Sequence, residues 1–419
     1  MLRNLKFVKY FRDFGWEPVV FAPENANYPV IDETTFKDIP AGIEVIKTPV
    51  IEPFAIFNLL QGKKKDERVK DVFLVRDQKP GLAHKLGVWV RGNFFIPDAR
   101  MLWINPSVKR LRKYLKENKV DAMISYGPPH STHRIAYALK QEFGIPWVAD
   151  FQDPWTQIDY FEKFMLTDFA RNKHKKQEQE VLKTADKVVM VSPSWCDDLA
   201  ELGGRPVDYI PFGFDADDFK DARPEKPFNK FIISHFGTLG IDRNPEALWK
   251  VLAELSVEMP EFKTHLQIDL AGVVDYSIFE TLEKAGLKAN LNYNAFLTKD
   301  KVVAGMLASD ILLLLLNTGF GEYNTKGRIP AKLFEYLGSQ RPILVIGQTD
   351  SDVAKIVSDT KAGITIAYEN ASEIKQSVLQ FYASWKRGEQ LYRPIHIQDY
   401  NFKYLTGKMA ALLDEISGK

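Results

Sequence analysis

The stretch Arg328–Gly347, RIPAKLFEYLGSQRPILVIG, carries the residues best spaced for chemistry. It follows an apolar run, Ile311–Leu316, and a polar, glycine-rich loop, Asn317–Gly327. The order is buried strand, loop, short helix, buried strand. Pro330 sits where a helix would start: its fixed φ suits the first turn and its missing N–H costs nothing there. A helix N-terminus at the end of a parallel strand is a ready anion site. Glu335 falls about one turn further in, where a carboxylate can accept hydrogen bonds from a ribose diol. Lys326, Arg328 and Lys332 add positive charge. Together they fit a nucleoside diphosphate. Periodicity alone favours a plainer reading, in which Leu333, Phe334 and Leu337 pack an amphipathic helix on a sheet and Glu335 is solvated.

Three other loops follow predicted strands. In HFGTLGIDRNPEALWKVL, His235–Leu252, a strand ends in Gly237-Thr238 and Arg243 precedes the next helix. Glycine lets the backbone approach a phosphate, and arginine neutralises one bidentately. The spacing is not that of a GxGxxG fingerprint, and no P-loop lysine follows. In SYGPPHSTHRIAYAL, Ser125–Leu139, His130 can donate to a substrate oxygen, against a capping or structural role. Its neighbour His133 lacks the further ligands a metal site needs. In VADFQDPWTQ, Val148–Gln157, Asp150 and Asp153 close an apolar strand. Asp153 can bind sugar hydroxyls or assist proton movement, against an ordinary Asp-Pro turn.

These loops need a frame that brings them together. Candidate strands are Val19–Ala22, Ile43–Ile46, Ala122–Ser125, Trp147–Ala149 and Val188–Val191, then Phe231–Phe236, Leu266–Leu270, Ile311–Leu316, Ile343–Ile346 and Ile364–Ile366. Helical patterns separate most of them, and the chain opens on an amphipathic helix. Such alternation predicts an α/β protein with parallel sheets covered by helices. The charged, proline-containing segment Asp215–Lys230 reads as a linker between two doubly wound domains that face a cleft.

The bulk properties narrow the classes. With 419 residues and 45% apolar content, the chain is globular and long enough for two or three domains. Its net charge of +1 leaves no global footprint for nucleic acid. The single cysteine, Cys196, excludes an intrachain disulfide and favours a reducing compartment. No apolar run approaches the ~20 residues of a membrane span, and the basic, amphipathic stretch MLRNLKFVKYFRDFGW lacks the apolar core and cleavage site of a signal peptide. The run Gln61–Lys119, rich in lysine, arginine and aromatics, reads either as a solvated helix pair or as a contact for an acceptor or an anionic membrane surface.

In order along the chain, GPPHSTH, PWVADFQDPWT, ADKVVMVSPSW, IPFGFDADDF, FGTLGIDRNPEAL and PAKLFEYLGSQRPIL resemble glycosyltransferase family 4. The resemblance spans nearly the whole chain. It implies the GT-B fold, two Rossmann-like domains facing a cleft: an acceptor-side domain over 1–215, a nucleotide-sugar-binding domain over 216–395, and a C-terminal helix over 396–419 that packs back on the first domain. It implies a retaining transferase that uses a nucleotide-sugar donor, needs no metal or other cofactor, and serves surface polysaccharide or lipid-linked glycan synthesis. The expected location is cytoplasmic or peripheral to the inner face of a membrane. By position, Glu335 resembles the ribose-binding glutamate. Residues Ile329, Pro330, Ala331 and Lys332 flank the diphosphate with Gly237, Thr238, Lys326 and Arg328. Arg243 and Lys332 stabilise the leaving group, while His130 and Asp153 line the first-domain side. With no carboxylate placed as a nucleophile, the resemblance favours transfer on the front face.

Three positions depart from the family pattern. Gly327 stands where the first glutamate of an E-x7-E pair is usual, Thr238 where many members have arginine, and Phe212 where an asparagine is common. Members also open with a strand and glycine-rich loop ahead of the first helix, whereas Met1 already stands at that helix. The expectation is an N-terminally truncated first domain. These departures motivate a second reading, a non-catalytic GT-B module that binds nucleotide or glycan. A sugar-nucleotide epimerase is the third.

Overall fold

The computed structural model describes residues 2–25, 32–50, 82–158, 161–317 and 325–419. The strands among them all pair in parallel. β1 (Val19–Pro23) pairs with β2 (Glu44–Thr48). β3 (Met123–Gly127), β4 (Trp147–Phe151), β5 (Lys187–Met190) and β6 (Asp208–Tyr209) form a four-stranded sheet in chain order. In the second half, β7 (Phe231–Phe236), β8 (Leu266–Ala271), β9 (Leu291–Asn294), β10 (Ile311–Leu315), β11 (Ile343–Ile346) and β12 (Gly363–Ile366) make a sheet of order β12-β11-β10-β7-β8-β9. All ten strands expected from the sequence are present. β6 and β9 are additional: one is two residues long, and the other, LNYN, is an exposed edge without an apolar run.

The order of the six-stranded sheet reverses between β7 and β10. In such a doubly wound sheet, ligands bind beyond the carboxyl ends of the strands at that reversal. The loop after β7 carries Gly237 to Arg243, and the loop after β10 leads to the helix Lys332–Ser339. Every residue of β7, β10 and β11 is buried. This is what central parallel strands covered on both faces require.

Asp215–Lys230 is only in part a linker. Residues 221–230 are largely exposed, but Asp215 is buried and Asp217–Lys220 forms a helical turn. The charges at its start are paired: Lys6 Nζ donates to Asp215 and Asp218 at 2.7 and 2.8 Å and lies 2.7 Å from Asp38. Tyr10 and Lys9 also bond to Asp215, at 2.6 and 2.7 Å. The last helix, Phe402–Ser417, starts with the Asn401 side chain accepting from the Lys403 amide. It buries Phe402, Leu405, Met409 and Leu413 against Phe7, Phe11, Val148, Val189 and Ile210. At ~1.5–3 kcal/mol per large apolar side chain, this stripe ties the C-terminus firmly to β4 and β5.

Of the run Gln61–Lys119, residues up to 81 lie outside the described part. The remainder forms two helices, Leu82–Phe94 and Met101–Glu117. No helix among the described residues is long and apolar enough to cross a membrane.

Candidate functional site

The reversal point is built as a cationic corner. At the end of β7 the chain turns at Gly237, whose φ of +106° suits glycine. A Cβ at Gly237 would also stand 2.9 Å from Lys332 Nζ. The missing side chain therefore makes room for the ammonium. Arg243 lies half-buried in the short turn Ile241–Arg243. Its Nε is 3.5 Å from Asp242 Oδ2 and has no hydrogen-bond partner among the described residues. The two loops are tied by Asn317, which donates to Asp242 at 2.7 Å.

The helix Lys332–Ser339 has Ala331 as its N-cap, with no side-chain cap. Pro330 lies two residues before the first helical residue, not inside the first turn. Its carbonyl accepts from the Leu333 amide at 3.0 Å, so the preset φ serves a tight turn that leads into the helix. The Phe334 amide is likewise met by the Ala331 carbonyl at 3.2 Å, so what the helix start offers an anion is chiefly the positive end of its dipole. Two contacts seat it on β7: Tyr336 Oη accepts from the Phe236 amide at 3.1 Å, and Lys332 Nζ lies 3.3 Å from His235 Nε2. Burial, then the neighbouring Arg243, pull the Lys332 pKa down to about 7, although Glu335 opposes them.

An anionic ligand at this corner favours the protonated lysine, so binding near neutral pH must take up a proton. Above pH 7 that proton costs affinity: at pH 8 a diphosphate should bind about tenfold more weakly than at pH 6. Calorimetry in buffers of different ionisation enthalpy checks this. Equal heats in every buffer would rule out Lys332 as the titrating group.

Glu335 lies in the first turn of the helix, and Lys299 Nζ is bonded to its Oε1. Lys299 opens the helix Lys299–Ala308, and it also lies 4.0 Å from Asp218. That helix has no side-chain cap of its own. Asp32 from the first half supplies one, accepting from the Lys299 amide at 2.8 Å. A cavity of about 330 Å³ separates the first helix, Leu2–Tyr10, from this region, with Arg3, Lys6, Phe212, Lys299 and Glu335 among its lining. Glu335 thus faces a cleft between the halves, with a cation already on it.

The absent carboxylate at Gly327 has a steric reason. A Cβ there would meet the Trp195 ring at 2.6 Å and Ser192 Oγ at 2.8 Å. The helix Pro193–Gly203 docks against this point, and Ser194 donates to Asp352 through its amide at 2.9 Å and its hydroxyl at 2.8 Å. Lys326 is exposed and paired with Asp350 at 2.5 Å. Arg328 and Thr238 are half-buried, Ile329 is buried in the core, and Ala331 is exposed.

The first-half candidates have different surroundings. His130 is buried and stacks on Trp155 at 4.7 Å, with His133 and Phe151 beside it. Burial above all holds it far below the ordinary histidine pKa, so it is neutral. His133 bonds to Ser125 Oγ at 2.7 Å and is fully buried. Asp153 is half-buried in the loop beyond β4. Asp150 is fully buried and paired with Arg3 at 3.1 Å. The loop around Asp153 is held by Glu178, which accepts from the amides of Trp155 and Thr156 at 3.3 Å and from the Thr156 hydroxyl.

Burial pushes Glu178 up to about 7, against those hydrogen bonds. The folded state therefore binds an extra proton between pH 4.5 and 7, and stability from this group is lost as pH rises through that window. Glu178→Gln should flatten the pH dependence of the melting temperature there. An unchanged slope would assign it to other groups.

His235 and Lys299 are the contacts that sequence reading misses. His235 is the one titratable side chain in the buried run FIISHF, a signal that was available. Lys299 has no local signal, being 36 residues from Glu335.

Residues 4–218 match the profile of Glycosyltransferase Family 4, over half of the chain. No curated protein matches at a significant level. Among solved structures, a UDP-forming alpha,alpha-trehalose-phosphate synthase from Burkholderia xenovorans aligns with a TM-score of 0.58 and 12% identity, covering 98% of this chain and 96% of that one. WaaG, a glycosyltransferase involved in lipopolysaccharide biosynthesis, aligns at 0.54 and 14%, over 100% and 96%. Anabaena Alr3699/HepE in complex with UDP-glucose aligns at 0.52 and 13%, over 100% and 94%. At such identities the likeness speaks for the fold, GT-B with Rossmann-like domains. The chain belongs to glycosyltransferase family 4.

Proposed function

We propose that the chain transfers a sugar, with retention, from a nucleotide-sugar donor to a glycan or lipid-linked acceptor in surface polysaccharide synthesis at the inner face of a membrane. The observation that carries this reading is the corner formed by Gly237, Arg243 and Lys332 at an uncapped helix start, with Glu335 one turn on. The corner suits a diphosphate, and Glu335 suits the ribose once Lys299 yields it. The names of WaaG and HepE, with their lipopolysaccharide and UDP-glucose, are consistent with this choice of product and donor.

In the proposed step the bond from the anomeric carbon to the diphosphate oxygen breaks, and the acceptor hydroxyl bonds to that carbon on the same face. The hydroxyl proton passes to the departing phosphate oxygen. Arg243, the Lys332 ammonium and the helix N-terminus stabilise the charge that develops there. These groups provide the positive charge without a metal ion, so turnover should survive a chelator. Incubation with a panel of radiolabelled nucleotide sugars and total membrane glycolipid tests the proposal. Donor binding without turnover would favour the non-catalytic module instead.

Membrane contact is supported by one surface. Leu86, Phe94, Met165 and Phe169 are 60%, 62%, 44% and 73% exposed. Asn93 joins their two segments, bonding to the Met165 carbonyl and the Thr167 amide at 3.3 and 2.7 Å. Lys85, on the helix of Leu86 and Phe94, and Lys173 and Lys176, on the helix of Phe169, are exposed. Exposed apolar side chains with lysines on the same helices suit an anionic bilayer surface. The protein should sediment with phosphatidylglycerol vesicles and not with phosphatidylcholine ones, and Phe94→Ser with Phe169→Ser should abolish this. Equal binding to both vesicles would argue against it.

A further inference from the structure

His235 is 1% exposed, in the penultimate position of β7. Its Nδ1 lies 3.0 Å from the Leu313 carbonyl oxygen of β10. A carbonyl only accepts, so Nδ1 carries the hydrogen, and Nε2 is left with a lone pair. That lone pair faces Lys332 Nζ at 3.3 Å. Burial, with Lys332 as the next cause, holds the ring far below its ordinary pKa, at about 3, so it stays uncharged at any working pH.

We propose that His235 is a positioning residue for sugar transfer: its Nε2 holds the Lys332 ammonium over Gly237, at the place of the donor's diphosphate, without cancelling its charge. This rests on the diphosphate reading of that corner. An aspartate or glutamate at 235 would hold the ammonium equally well, but it would neutralise the charge the leaving group needs. A neutral imidazole, its tautomer fixed from the far side by the sheet, holds the cation and leaves its charge available. The other charged groups around Lys332 are Arg243, from the turn after β7, and Glu335, on its own helix and bonded to Lys299. Arg243 repels the ammonium and Glu335 is already engaged. His235 therefore supplies the uncharged acceptor at this point. Tyr336, one helical turn along, anchors the helix to the same strand through the Phe236 amide. The anchoring of the helix and the aiming of Lys332 are thus separate contacts, which allows them to be tested apart.

The test begins with unliganded protein. The pH dependence of Lys332 acetylation by acetic anhydride is followed by peptide mass spectrometry in the wild type and in His235→Leu, His235→Gln and Tyr336→Phe. Losing the acceptor destabilises the protonated amine, so His235→Leu should lower the midpoint by about one pH unit. His235→Gln, whose amide oxygen can accept, should keep it near the wild-type value. Tyr336→Phe should lower the melting temperature and leave the midpoint unmoved. UDP is then added: it should protect Lys332 in the wild type, and its affinity at pH 7 should fall about fivefold in His235→Leu and recover in His235→Gln. An unmoved midpoint in a folded His235→Leu protein overturns the proposal. A shifted midpoint with no UDP protection in the wild type overturns the diphosphate reading and with it the role in transfer, leaving only a structural contact.

Discussion

Replacing Arg3 by alanine is expected to cost the fold about 3–5 kcal/mol, the usual penalty for leaving a buried charge without its partner. Arg3 is 2% exposed and Asp150 fully buried. The guanidinium donates to both Asp150 oxygens, at 3.1 and 3.4 Å, and to the carbonyls of Ile210 and Pro211. One side chain thus joins the first helix, β4 and the segment after β6. Against a typical stability of ~5–15 kcal/mol, its loss is a large fraction of the whole. Burial raises the Asp150 pKa, and Arg3 holds it down. Without Arg3 the carboxyl binds a proton more readily, so the deficit should narrow as the pH falls. Denaturant titration at pH 5 and pH 8 checks both parts. A deficit below about 1 kcal/mol at pH 8 would mean that Asp150 is satisfied in another way.

The second large effect is on ligand affinity. Glu335→Ala should weaken nucleoside diphosphate binding about 10- to 100-fold, which corresponds to ~1.5–3 kcal/mol for hydrogen bonds to a charged group. The Glu335 side chain is 25% exposed, so part of this is screened, and the lower end is the safer expectation. Stability should change little, because Lys299 retains Asp218 at 4.0 Å as another counter-charge. Affinity lost at constant melting temperature is the signature of a ligand contact. Calorimetry with UDP, in parallel with thermal denaturation, separates the two quantities. Unchanged affinity would leave Glu335 as the partner of Lys299 alone.

Lys299 also bears on how the halves communicate. Its amide is capped by Asp32 of the first half and its ammonium rests on Glu335 of the second. A ribose at Glu335, as proposed, would compete with the Lys299 ammonium, whose own backbone amide is held by Asp32 across the interface.

Much of the frame was legible beforehand. Runs such as ILLLLL and FIISHF identify strands because a central parallel strand is buried on both faces and must be continuously apolar. The edge strand LNYN escaped for the same reason, since its surroundings ask for no apolar run. Gly237, Arg243, Lys332 and Glu335 could be nominated because their loops follow strands, and parallel strands point all such loops to one side. Their mutual contacts could not be read. Lys332 and His235 are 97 residues apart, and Arg3 and Asp150 are 147 apart. Asp215–Lys230 looked like a charged linker throughout, yet Asp215 and Asp218 are paired with Lys6, because a charge carries no local mark of the partner that will neutralise it.

By itself, then, the sequence determined the element types, their parallel order and the loops that share the cleft. Periodicity, glycine and proline act over a few residues, and that range suffices for such features. The tertiary structure alone decided which charges are spent on the fold and which remain for a ligand. Arg3 and Lys6 are consumed by Asp150 and by the Asp38, Asp215 and Asp218 group, whereas Lys332 is held by an uncharged histidine. Hydrogen bonds and buried ion pairs act over about 3 Å, so their outcome is fixed only when distant segments close on one another.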